Sequence, residues 1–115
     1  MPNPVVHWEI LTTNDAKRLQ DFYADLFDWQ IDANNPWNYG MVNTDSKGGI
    51  NGGIGPNPEG GLVTIYVQVA DLQAALDKAE TLGGRVVMPP TEIPNVVTMA
   101  MFSDPDGNVI GLVNG

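Results

Sequence analysis

The chain contains no cysteine. That excludes a disulfide framework, a thiolate nucleophile, a cysteine-ligated zinc and an iron–sulfur cluster. Basic residues are scarce as well: five Lys plus Arg stand against 14 Asp plus Glu, a formal net charge of −9 over 115 residues. Phosphate backbones and anionic lipid are bound by clustered Lys and Arg, so neither nucleic acid nor a membrane surface is an expected partner. Long apolar runs are missing too. The stretch from Val96 to Phe102 is interrupted by Thr98, far short of the roughly 20 residues that cross a bilayer. The opening Met1-Pro-Asn-Pro has no basic segment leading into an apolar one, so no signal peptide is read and the expected setting is cytoplasmic.

What is present suffices for a packed interior: 43% of residues are hydrophobic and 17% charged, unlike the make-up of disordered chains. A length of 115 residues matches one domain, here taken as 1–115. Val-Val-His-Trp-Glu-Ile-Leu over 5–11 mixes β-branched and aromatic residues in partial alternation and predicts a strand. Thr13, Asn14 and Asp15 offer capping oxygens, and Leu19, Phe22, Tyr23 and Leu26 recur at helical spacing, so a helix is expected over 15–27 with those four residues inward. Strands follow at 29–33, 39–44 and 49–55, separated by Asn34-Asn35-Pro36 and Asp45-Ser46-Lys47-Gly48. The order then recurs. A strand at 62–69 precedes a helix at 71–82 with Leu72, Ala75, Leu76, Ala79 and Leu82 inward, stopped by Gly83-Gly84. Strands at 85–88, 96–103 and 108–113 complete the chain.

Sliding the sequence by 56 residues lays Asp15 on Asp71, Leu19 on Ala75, Tyr23 on Ala79, Leu26 on Leu82 and Ile10 on Tyr66. The chain therefore reads as two copies of strand-helix-strand-strand-strand, module one over about 4–56 and module two over about 61–114.

His7-Trp-Glu-Ile, Asp21-Phe-Tyr-Ala-Asp-Leu-Phe-Asp-Trp29, Asn51-Gly-Gly-Ile, Tyr66-Val-Gln-Val-Ala-Asp71, Leu82-Gly-Gly84, Met88-Pro-Pro-Thr91 and Phe102-Ser-Asp-Pro-Asp-Gly-Asn108 occur in that order. Together they resemble the vicinal oxygen chelate superfamily of glyoxalases, extradiol dioxygenases, fosfomycin resistance enzymes and bleomycin resistance proteins, over essentially the whole chain. The resemblance implies an α+β fold in which two βαβββ modules curl eight strands into an open, cup-shaped sheet with the helices outside. It also implies a homodimer.

In enzymes of that family a divalent metal is held at four places, on the first and last strands of each module. Here the first place matches His7. The others fall on Val63 or Thr64, on Asn51-Gly-Gly-Ile-Gly55 and on Gly111, which bring no carboxylate or imidazole. No metal or other cofactor is therefore expected; a divalent metal completed by a partner chain is the alternative. His7 and Glu9 lie two apart on a strand and share one face, the candidates for ligand binding or for acid–base catalysis without a metal. Trp8 and Ile10 take the opposite face and are expected to pack under the helices. Trp37 and Tyr39, in a Pro-Trp-Asn-Tyr loop, are candidates for stacking on a planar ligand. Met41, Met88, Met99 and Met101 would supply adaptable apolar lining. The expected function is binding or sequestration of a small organic molecule, with a planar, cationic compound suiting the acidic, aromatic chain. The alternative is a metal-dependent lyase, isomerase or dioxygenase of the glyoxalase type, and a third reading is an interaction or regulatory module.

Overall fold

The computed structural model describes residues 2–114. Its element order is β1 (Val5–Thr12), α1 (Ala16–Phe27), β2 (Gln30–Asp32), β3 (Gly40–Asn43), β4 (Gly52–Pro56), β5 (Leu62–Val69), α2 (Leu72–Thr81), β6 (Arg85–Ile93), β7 (Val97–Ser103) and β8 (Val109–Asn114). Eight strands of mixed, open sheet and two helices make an α+β protein of the expected doubled βαβββ order. One compact unit comprises His7–Val63 and the other holds the remaining residues. In the first, the strands run β2-β3-β4-β1; in the second, β5-β8-β7-β6. The first and last strand of each copy pair in parallel, β1 with β4 and β5 with β8. The remaining neighbours, β2·β3, β3·β4, β6·β7 and β7·β8, pair antiparallel.

Both helices start at an aspartate whose side chain accepts a hydrogen bond from an orphan amide three residues on: Arg18 N–H to Asp15 at 3.3 Å and Ala74 N–H to Asp71 at 3.0 Å. They stop where the backbone turns left-handed, at Asp28 with φ 58° and at Gly83 with φ 101°. In the second unit Leu76 is fully buried and packs with Val69, Leu72, Ala100 and Leu112, while Val67, Ala75 and Phe102 close around them.

Three expectations are corrected. On α1, Phe22 and Leu26 are 56% exposed, and the buried residue is Gln20. The inward stripe runs through Ala16, Leu19, Gln20 and Tyr23, still at three-and-four spacing but rotated, because the polar Gln20 amide finds partners beneath the helix. Leu82 is 68% exposed, since α2 ends at Thr81. Strand β6 runs on to Ile93 rather than stopping at 88. Pro89 and Pro90 are accommodated because β6 is the outermost strand of its unit and its ladder with β7 shifts register between Val86 and Met88 and again between Met88 and Thr91.

Candidate functional site

Alternation along β1 sets the site. Trp8 turns toward the helix layer: its ring lies 5.1 Å from that of Trp29, and Trp29 meets Tyr23 and Phe27 of α1. The Trp8 indole N–H donates to the Ile50 carbonyl at 2.7 Å. On the opposite face stand His7, half-buried, and Glu9, buried to 9% exposure.

Tyr39 joins them. Its hydroxyl donates to Glu9 Oε2 at 2.8 Å, and His7 Nε2 lies 2.9 Å from the same oxygen, with the two rings stacked at 20°. A phenol has one hydrogen, and here it goes to Glu9. The bond to His7 must then run the other way, from Nε2–H to the phenol oxygen, which assigns the neutral imidazole its Nε2–H tautomer. Donation thus passes in one direction, His7 to Tyr39 to Glu9. Burial holds the His7 imidazole below its ordinary value of 6.5, and the neighbouring Glu9 opposes that shift without reversing it.

The ring is held from two sides. Asn35 clasps its backbone, accepting from the Tyr39 N–H at 3.0 Å and donating to the Tyr39 carbonyl at 2.7 Å. Beneath the ring, Gly53 and Gly55 stand opposite Glu9 and Leu11 in the β1·β4 ladder. A Cβ on Gly53 would overlap the Tyr39 hydroxyl and ring, and one on Gly55 would come within 2.8 Å of the ring. Their missing side chains are the seat of the tyrosine. The device recurs in the second unit, where Tyr66 faces Gly111 across β5·β8 and occupies the space a Cβ there would take.

These facts bear on the metal that the resemblance implies. The face of β4 beside His7 carries Gly53 under a tyrosine ring, and Gly111 lies under another. Thr64 is buried with its hydroxyl donated to the Val109 carbonyl at 2.7 Å, and Val63 is 75% exposed. Among the described residues no three His, Asp or Glu side chains gather into a metal-binding group. His7 and Glu9, both bonded to Tyr39, do not make up the three or four donors that a divalent ion takes, and the donor set does not fit one.

Within His7–Val63 the structure brings together His7, Glu9 and Tyr39 of the candidate ligand residues. Trp37 is 55% exposed in the loop that carries Tyr39. Met99 and Met101 are half-buried on β7 in the other unit, on the face away from Ala100. Sequence reasoning read Tyr39 as a stacking surface and missed its bridging hydroxyl. The available signal was the Gly53-Ile-Gly55 alternation, which leaves one face of a strand bare for a ring. No helix among the described residues is long and apolar enough to cross a membrane.

A family model of the "Glyoxalase/Bleomycin resistance protein/Dioxygenase superfamily" matches residues 5–112. The Mycobacterium bovis protein named "Putative glyoxylase CFP32" is 34% identical over 92% of this chain and 44% of its own length. The Streptomyces peucetius "Anthracycline biosynthesis protein DnrV" is 29% identical over 87% of this chain and 43% of its own. The chain thus spans less than half the length of these curated relatives. Among solved structures, a superfamily member from Vibrio splendidus covers 99% of this chain and 100% of its own with a TM-score of 0.66 at 15% identity, a likeness of fold. With the family model matched from the first strand to the last and the doubled βαβββ order observed, the chain belongs to the glyoxalase/bleomycin resistance protein/dioxygenase superfamily.

Proposed function

We propose that this protein binds a small organic molecule at the His7–Tyr39–Glu9 surface, without a resident divalent metal, and that planar, cationic compounds are the class it takes. The observation that carries the reading is the Tyr39 hydroxyl lodged between the imidazole and the carboxyl group. A metal site would need those two donors turned to an ion; here they are turned to a phenol. The three groups form a short polar track of fixed donor direction, suited to orienting the polar end of a ligand, while the exposed Trp37 offers a face for stacking. A formal charge of −9 favours a cation over an anion. The relatives' names, a glyoxylase and an anthracycline biosynthesis protein, are compatible with small organic substrates.

The test is a titration of the purified protein with a panel of planar aromatic compounds, cationic and anionic, an anthracycline among them, alongside metal analysis and mass spectrometry of anything retained from the host. Cationic members should bind, and Tyr39→Phe should weaken them by roughly tenfold, the equivalent of one hydrogen bond. Metal should stay well below one equivalent. Stoichiometric metal that survives dialysis and is lost in His7→Ala refutes the reading in favour of a metal-dependent enzyme.

A further inference from the structure

We infer that Gln20, buried on the helix side of the sheet, is the positioning residue that keeps Tyr39 in place between His7 and Glu9. It is the buried residue of α1, on the inward stripe it shares with Ala16, Leu19 and Tyr23. An amide placed there loses its water, which is unfavourable unless both of its hydrogens are used. Both are. One goes to the Asn38 carbonyl at 3.0 Å and the other to the Ile54 carbonyl at 2.7 Å.

Those two carbonyls flank the tyrosine. Asn38 directly precedes Tyr39 and sits in the left-handed region at φ 53°, a turn conformation that asparagine tolerates and that aims its carbonyl at the Gln20 amide. Ile54 is fully buried between Gly53 and Gly55, the two residues that the Tyr39 ring covers. The Gln20 amide therefore ties the chain just ahead of the ring to the strand just beneath it. Gly40, next after Tyr39 and opposite Ile54 in the β3·β4 ladder, leaves the amide its room: a Cβ there would come within 2.9 Å of Gln20 Nε2 and 2.7 Å of Ile31 Cγ2. A residue that touches neither His7 nor Glu9 thus governs how their shared hydroxyl is aimed.

The inference rests on Tyr39 as the anchor of the proposed site, yet it can be tested with no ligand present, so its failure and that of the binding reading are distinguishable. His7 is the sole histidine of the chain, so its ring N–H gives a single assignable NMR signal. Held by Tyr39, that proton should exchange slowly enough to be seen in the wild type, and it should vanish in Tyr39→Phe. In Gln20→Met, which keeps the length of the side chain and removes both donors, exchange should quicken by at least roughly tenfold, as the loop opens more often. Gln20→Asn, one methylene too short to reach both carbonyls, carries the same expectation should the Met variant not fold. Leu76→Ala, which damages the core of the other unit, should leave the signal unchanged. An N–H signal that persists at wild-type exchange in the Gln20 variants, is lost equally in Leu76→Ala, or is absent from the wild type overturns the inference.

Discussion

Replacing Gly53 by alanine adds one methyl group where the structure has a phenol. The backbone at Gly53 lies outside the left-handed region, so alanine can adopt it and the whole penalty is steric. The new Cβ would overlap the Tyr39 hydroxyl and ring, and strand β4, paired on both sides, cannot retreat. The ring must lift, and the hydroxyl then leaves its 2.8 Å contact with Glu9 and its 2.9 Å contact with His7. A hydrogen bond to a carboxylate is worth about 1.5–3 kcal/mol and a neutral one about 1 kcal/mol. The gain from stiffening the unfolded chain, about 0.4–1 kcal/mol for Gly→Ala, offsets part of that. A net loss of about 2–3 kcal/mol follows, a fall in Tm of roughly 10 °C for a chain of this size. Urea unfolding followed by far-UV circular dichroism measures it. The same substitution in a Tyr39→Ala background should be neutral or slightly stabilising, because the obstructed ring is gone. A loss under about 0.5 kcal/mol in the wild-type background, or an equal loss in both backgrounds, refutes the assignment of Gly53 as the seat of Tyr39.

Trp8→Ala should destabilise by about 3 kcal/mol, the low end for large aromatics because the ring is only half-buried, whereas Glu9→Gln, which can still accept from Tyr39, should lose under about 1 kcal/mol; equal losses in unfolding titrations would mean the two faces of β1 are reversed. The single histidine makes the pH response readable. Because burial lowers the His7 value in the folded state, the unfolded chain takes up the proton first, so stability is full above the ordinary value near 6.5 and declines as pH falls through it; His7→Gln should flatten that slope between pH 7.5 and about 5, and a wild type that grows more stable over this interval contradicts it. Leu76→Ala, at a fully buried position, should lower stability by about 2–5 kcal/mol, while a loss below 1 kcal/mol would be too small for a residue at the centre of its core.

Elements with local signals were legible in the sequence. Asp15 and Asp71 announce both helix starts, Gly83 announces a stop, and the strand at 62–69 has the bounds its β-branched alternation predicts. Positions decided by neighbours distant in the chain were not. Gln20 reads as a solvent-facing residue until Asn38 and Ile54, 18 and 34 positions away, offer their carbonyls. Pro89 and Pro90 look like a strand end, and it is the outermost position of β6 together with the register shifts against β7 that keeps the strand going. At the site, His7 and Glu9 share a face by simple alternation, but the hydroxyl that links them arrives from 30 residues downstream of Glu9. No local pattern encodes that pairing, although the glycines beneath Tyr39 mark where a ring can lie.

The uneven distribution of indoles gives the duplicated chain a built-in optical asymmetry. Trp8, Trp29 and Trp37 all fall within His7–Val63, and the sequence from Thr64 onward has no tryptophan. Trp8 and Trp29, with ring centres 5.1 Å apart, are close enough for their transitions to couple and for excitation to pass between them. Trp37, 55% exposed, emits from a water-like environment. Tryptophan emission therefore watches one half of the repeat and is blind to the other, whereas the far-ultraviolet amide signal reports both. Superposition of the two melting curves would show the halves unfolding as a single cooperative system, and a separation between them would read out, without any label, how far the two halves depend on each other.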